Sequence, residues 1–438
     1  MSQARTLAEW LEHPPARDGL LSTEARHEVA RLATLLGLPG PRDEAWRYTR
    51  LSGLEQEALE LGVEAPLPDE HQLRALTPEG VTLDRLVVVN GRPVPSLCQI
   101  GPLPDGVGIG SLSAMRQAAR EGNSSAAQLL EHLDLLSQSR QRAFSAINSA
   151  LAEDAAALWV PDGVQLPRPL LVLSLVLPQA GPLLSQPRLL AVLGQHSQAT
   201  VLEAHGGFGD KAYLCNAVSE FHVQAHARLE HVRVQRDSVA GRRVSGAFFQ
   251  VMAGAQARTH TYTLGGRTVR NEIRMELVEP GASGEINGLG LLKGETHLDN
   301  HTHVAHLAPD CQSHQGFRTI LAERSQGIFT GRIQVAKDAQ HTDAVQQCAS
   351  MVLSPEARAV ARPQLEILAD DVKCTHGSTV GSLDANSLFY LRSLGIPGDL
   401  ARRILIHAFC STQLGRVRAS EMVNPLDRLI TRTLADHA

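Results

Sequence analysis

The chain has 438 residues, of which 43% are hydrophobic and 20% charged, with a formal net charge of -5. That is apolar material enough for a sizeable core, in two or three domains or in one elongated solenoid with small flanking units. The mildly acidic balance excludes a global electrostatic footprint for nucleic acid.

Cys98, Cys215, Cys311, Cys348, Cys374 and Cys410 are widely spaced, and none belongs to a CxxC pair. Neither a zinc ribbon nor a thioredoxin-type site is signalled, and a reducing, cytoplasmic compartment is expected. Met1 to Pro15 carries Glu9, Glu12 and two prolines without an apolar core, so no secretory signal is expected. No run is long enough to span a membrane; Leu170 to Leu177 is strand-sized.

In chain order, Ser22 or Thr23 caps a helix through Ala30, Leu32 and Leu35–Leu36, with Gly37 and Pro39 as stops. The stretch Pro41 to Arg50 follows. Val87–Val89 before Asn90–Gly91 predicts a strand entering a tight turn. A second helical stretch is predicted over roughly Ser124 to Ala157.

From about Pro167 to Gly381 the pattern changes to alternation. Ile273, Met275 and Leu277 alternate with Arg274, Glu276 and Val278, and Phe329, Gly331, Ile333 and Val335 form another set. Short strands with no convincing crossover helix argue against a βαβ fold. A large sandwich and a β-solenoid both remain open, because no crisp repeat appears. The end is helical again. Leu388, Leu391 and Leu394 share a face, Gly395 to Gly398 breaks the helix, Asp399 caps the next, and Asn424–Pro425 opens a short last one.

No GxxxxGK[ST] phosphate loop is present, so ATP hydrolysis by this chain is not expected. Gly106–Val107–Gly108–Ile109–Gly110 has its third glycine one position early for a dinucleotide fingerprint and reads as a plain loop. The run His297 to His306 is rich in metal ligands. On a strand, Asp299, His301 and His303 alternate onto one face and could hold a divalent metal, making this a metal-dependent β-domain enzyme. The plainer reading is a polar ladder along a solenoid face. Cys374 and His376 also share a strand face, where thiolate and imidazole suit iron or a nascent iron–sulfur cluster, with Lys373 depressing the thiol pKa. The plainer reading is a buried cysteine and a satisfied histidine. Cys348 lies 26 residues before Cys374, within one solenoid repeat, so the two could meet on successive coils. An unreactive core cysteine is the commoner outcome.

A longer ordered text joins these motifs. It runs through Arg270–Asn271–Glu272–Ile273, Gly284–Glu285, Asn287–Gly288–Leu289 and Asp299–Asn300–His301–Thr302. It continues through Gly327 to Ile333, Ala339 to Ala344, Arg362 to Ile367, Asp370 to Thr379 and Leu388 to Ser393. Over about Pro187 to Phe409 the chain resembles the SufB/SufD family of iron–sulfur cluster assembly proteins. Glu44 to Thr49, and Gly377 after His376, resemble the SufD branch. Thr375, Ser378 and Leu394 depart from the usual text.

The resemblance implies a mainly β fold: a right-handed parallel β-helix core, residues 166–383, flanked by a mostly helical N-terminal region, 1–165, and a C-terminal helical region, 384–438. It implies a scaffold subunit, not an enzyme, in a complex with a SufB-like chain and a SufC-like ATPase. No cofactor is permanently bound; transient iron or a cluster would be shared with SufB. His376 would be an iron ligand at the SufB interface, Cys374 a second candidate, and an imidazole that ligates is neutral, so function would fall in acid. Leu388, Phe389, Tyr390, Leu405 and Phe409 would meet the ATPase. Neither nucleic acid nor membrane is an expected partner, and a homodimer of the isolated chain stays open.

Overall fold

The computed structural model describes residues 4–15, 19–40, 42–51, 53–62 and 67–435. Met1 to Gln3 and Pro41, which belong to two stretches singled out above, lie outside the described residues.

Two sheets, parallel but for one antiparallel pair at the N-terminal end of each, face one another across a side-chain-filled lumen. Eleven strands form one sheet and ten the other. Each coil contributes one strand to each sheet, giving a β-solenoid of about eight coils. The last four coils pair Thr268–Leu277 with Ser283–Leu292, His297–His306 with Gln312–Leu321, Gln326–Val335 with Asp343–Val352, and Arg358–Ile367 with Lys373–Gly381. Ile273, Met275, Phe329, Gly331, Ile333 and Val335 are all buried, while Arg274 and Glu276 are only half-buried on the opposite face. Alternation therefore sorts lumen from outer face, as the period of two requires.

The repeat is carried by the backbone of one turn column. His196, His226, Gly254, Gly281, Asp310 and His341 each sit at positive φ, between 57° and 73°. Each donates its N–H to a carbonyl of the next turn, those of Ala225, Ala253, Pro280, Pro309, Gln340 and Asp371, at 2.7–3.3 Å. A left-handed residue closes every turn, and glycine, histidine and aspartate all fill that position. The coils thus share a conformation without sharing a sequence.

The N-terminal region covers the outer face of the eleven-stranded sheet. Thr23–Leu36 is helical with Ser22 as N-cap and Gly37 as C-cap, and it buries Val29, Ala30 and Ala33 while Leu35 stays exposed. Asn90 and Gly91, at φ 51° and 87°, join Asp84–Val89 to Arg92–Pro93 in a tight hairpin. The predicted helix over Ser124 to Ala157 is instead two helices, Ser124–Glu131 and Ala143–Leu151, followed by the strand Ala156–Val160. The break falls at Asp134, whose carboxylate gathers the hydroxyls of Ser137, Ser139 and Ser149 and the guanidinium of Arg188. Gly108–Ser111 is a strand antiparallel to Ala156–Val160, so the glycine-rich stretch has no βαβ setting.

Glu44, Trp46 and Thr49 clamp onto the same sheet. Glu44 pairs with Arg362 at 2.8 Å, Trp46 lies 3.9 Å from the Arg270 guanidinium, and Thr49 donates to Asp299 at 2.6 Å. The C-terminal helices Gly398–Leu414 and Ser420–Ala435 cover the outer face of the ten-stranded sheet. Pro397, not Asp399, occupies the N-cap of the first. The second begins four residues before Asn424 and contains Pro425. Its stripe Met422, Leu426, Ile430 and Leu434 packs with Leu202, Val232, Leu289 and Leu291, and that burial offsets the hydrogen bond which proline cannot donate. Among the described residues no helix is long and apolar enough to cross a membrane.

Candidate functional site

The solenoid ends in an open coil. Arg358–Ile367 and Lys373–Gly381 are the outermost strands of the two sheets, and among the described residues no strand pairs with their outer edges. Strand edges left bare present a row of unpaired backbone groups. Val380 and Leu368 are exposed apolar side chains at this end.

Cys374 and His376 lie on this last coil, two residues apart, and register fixes which way they face. Their partners on the strand beneath are Ala344 and Gln346, both fully buried in the lumen. Parallel partners share a face, so Cys374 and His376 point into the lumen where no further coil covers it. Cys374 is half-buried and packs in a cluster with Ile333, Val335, Ala344 and Leu365. Burial pushes its thiol pKa up, and Asp343 pushes it the same way. The expected depression by Lys373 is therefore overturned. His376 is exposed.

Cys348 does not meet Cys374. The strands Asp343–Val352 and Lys373–Gly381 are offset by 30 residues, which puts Cys348 beside Ser378. Cys374 precedes Ser378 by four residues on that strand, about 13 Å at the usual rise. Cys348 is buried, and burial pushes its thiol up to about 12, which leaves it protonated. All six cysteines are free thiols.

The histidine run does occupy one strand, with Asp299, His301 and His303 on its outer face, but the surroundings oppose a cation. Asp299 is held by Arg270 and Thr49. Burial and the nearby charges of Arg270, Arg142 and Arg274 push His301 down to about 3. Burial and Arg274 push His303 down to about 4. A site ringed by guanidinium groups repels a divalent metal. Among the described residues no group of three or more His, Cys, Asp or Glu side chains converges as metal ligands. Cys374 and His376 thus offer two ligands at most, and any iron held there needs the rest from elsewhere.

The helical residues divide. Phe389 and Tyr390, on the helix Ala385–Ser393, are 74% and 63% exposed, and no residue of that helix is buried. Leu388 and Leu405 are half-buried. Phe409 is turned inward: the Arg318 guanidinium lies 4.5 Å from its ring and donates to its carbonyl at 2.9 Å. Leu394, Leu400 and Ile404 are also exposed. The sequence reading named Leu394 only as part of a helix face and missed Leu400 and Ile404, although these two are spaced by one helical turn.

Residues 176–409 match the SufBD core domain of SUF-system FeS cluster assembly, and residues 20–172 match the SufBD N-terminal region. The chain belongs to the SufBD family. Over 426 residues it is 31% identical to an iron–sulfur cluster assembly SufBD family protein of Synechocystis sp., covering 93% of this chain and 90% of that one. Over 413 residues it is 28% identical to the iron–sulfur cluster assembly protein SufD of Escherichia coli, covering 94% and 92%. The mainly β solenoid between helical flanks is the fold that the resemblance to this family implies.

The structure gives several of the quoted motifs a packing role. In the SufBD text, Arg270 and Asp299 form the ion pair beneath Trp46 and Thr49. Gly331 is opposed to the buried amide of Gln346, where a Cβ would collide with Nε2. Gln346 was not singled out in the sequence. Its signal is the 30-residue register to His376, which becomes visible only once the strands are paired.

Proposed function

We propose that this chain is a non-catalytic scaffold subunit of a SUF assembly complex. Its open terminal coil meets a SufB-like chain, iron or a nascent cluster is handled at that interface as cargo, and a SufC-like ATPase docks on the C-terminal helical unit. The observation that carries the reading is the pairing of a ligating side chain with an unfinished fold. His376 faces the lumen at a coil end where, among the described residues, both sheets stop with unpaired edges, so a partner that adds strands would bring further ligands over it. Cys374 stands two residues away as a weaker, protonated candidate.

In this reading residues 1–165 brace the solenoid, 166–383 form it, and 384–438 receive the ATPase, whose contacts are Leu388, Phe389 and Tyr390 with Leu405 and Phe409 behind them. The setting is cytoplasmic. No cofactor is resident, and a homodimer through the same open coil is the competing assembly when partners are absent.

The test is His376→Ala in a complex reconstituted with SufB-like and SufC-like subunits. The complex should still assemble, because an exposed side chain is removed, and its iron and sulfide content after reconstitution should fall. A full complement of iron and sulfide in that variant would remove His376 from the function.

A further inference from the structure

Gln346 sits directly beneath His376 in the lumen. It belongs to Asp343–Val352, and its register neighbours are Gln315 on one side and His376 on the other. It is 1% exposed, and neither Oε1 nor Nε2 has a hydrogen-bond partner among the described residues. A buried primary amide without partners is costly and rare in a folded lumen.

The surroundings narrow what the amide can reach. Gln315, one coil below, accepts from Thr302 at 2.6 Å through Oε1, while its Nε2 has no hydrogen-bond partner among the described residues and is the competing donor to the Gln346 oxygen. The flanking lumenal residues on its own strand, Ala344 and Cys348, offer no side-chain oxygen. Gly331 stands opposite and leaves the amide its room, since any Cβ there would strike Nε2. Upward, one strand spacing away along the ladder (about 4.8 Å), is His376, whose side chain shares the lumenal face. An imidazole that ligates through one nitrogen donates from the other, and the group that accepts this proton fixes the tautomer and the ring plane. A glutamine oxygen does so without adding a charge.

We infer that Gln346 is the positioning residue for His376: its Oε1 accepts the N–H of one ring nitrogen and turns the other outward across the interface. This rests on the reading of His376 as an iron ligand. Gln346 itself touches no cargo. Its role is to hold a neutral imidazole in one orientation before the partner arrives.

The experiment uses the full chain labelled with 15N-histidine, observed by two-bond proton–nitrogen correlation in mildly alkaline buffer, with the His376 signal assigned through His376→Ala. The wild-type imidazole should show a single tautomer, and Gln346→Met, which keeps length and removes the acceptor, should show a mixture. Iron affinity of the complex reconstituted from Gln346→Met should fall about 10–100-fold, the usual effect of losing such a partner. If Gln346→Met does not fold, Gly331→Ala displaces the amide from the facing wall and should give the same mixture. An unbiased tautomer mixture at His376 in the wild-type chain overturns the inference with no variant needed. An unchanged single tautomer in Gln346→Met also overturns it, even where His376→Ala has lost iron. Unchanged iron and sulfide in His376→Ala instead overturns the functional reading beneath it.

Discussion

Asp237 and Arg243 form a two-point ion pair sealed inside the solenoid. Arg243 donates from Nε to one carboxylate oxygen at 2.6 Å and from Nη2 to the other at 2.8 Å, and Tyr213 adds its hydroxyl at 2.7 Å. Burial works to raise the carboxyl pKa, but the charge and hydrogen bonds of Arg243 outweigh it and hold Asp237 below its ordinary value. Removing one partner strands a buried charge. Asp237→Ala should therefore cost about 3–5 kcal/mol in urea unfolding. The acid behaviour follows from the depressed carboxyl: its contribution is present above the unfolded-state value near 3.8 and is lost as pH falls through the lower folded value. A variant as stable as the wild type would mean that the pair contributes nothing net.

Three lumenal or covered histidines act on stability at milder acidity. Burial is the largest influence on all three and pushes His205, His222 and His306 each down to about 4. The unfolded imidazole takes up its proton near 6.5, so between those values the unfolded chain binds more protons and acid favours unfolding. Stability should fall as pH drops from about 6.5 towards 4, by at most about 1.4 kcal/mol per unit for each histidine. His306, which bonds Ser313 at 2.8 Å, is the cleanest to test. In urea unfolding near pH 7.5 and near pH 5.5, His306→Gln should lose less stability between the two conditions than the wild type does. Equal losses would show that His306 takes up its proton equally in the folded and unfolded chains, so that its burial does not hold it neutral.

The solenoid strands were legible because their physics is local. Alternation at Ile273, Met275 and Leu277 and at Phe329, Ile333 and Val335 needs only the strand period. Choosing a solenoid over a sandwich was not legible from pattern, because the repeat resides in the φ of His196, His226, Gly254, Gly281, Asp310 and His341, six positions with three residue types. Coil length varies too: Thr268 and His297 are 29 residues apart in register, whereas Gln326 and Arg358 are 32. The same variation misplaced Cys348, since an offset of 26 does not fit a coil of 30. The metal reading of Asp299 failed for a different reason. Its real partners, Thr49 and Arg270, come from elsewhere in the chain, and the distance of 250 residues to Thr49 hides that contact from any local pattern.

Thiol accessibility provides a check on the lumen. Cys98 and Cys374 are half-buried, whereas Cys215, Cys311, Cys348 and Cys410 are buried. Burial raises Cys215 to about 11 and both Cys348 and Cys410 to about 12. Alkylation needs the thiolate and access to it. Brief iodoacetamide treatment of the native chain, read by peptide mass spectrometry, should modify Cys98 and Cys374 first and leave Cys348 unmodified until denaturant is added. Early modification of Cys348 would mean that the terminal coil opens under native conditions.

The docking residues separate by what each side chain touches. Phe389 is 74% and Tyr390 63% exposed, so replacing either with serine removes almost no packing. Stability should stay within about 0.5 kcal/mol of wild type, while retention of a SufC-like ATPase on co-purification should drop sharply. Phe409 lies against the ten-stranded sheet beneath Arg318, and Leu405 beside it is half-buried. Phe409→Ala should cost about 2–4 kcal/mol through lost packing, and any loss of the ATPase would follow from the helix Gly398–Leu414 coming away from the sheet. Measuring thermal unfolding and ATPase retention together distinguishes the cases. Loss of retention at unchanged stability identifies a contact residue, and loss of both identifies a residue that holds the platform. If Phe389→Ser and Tyr390→Ser both retain the ATPase in full, docking must use another face, and the exposed pair Leu400 and Ile404 on the following helix is the next surface to change.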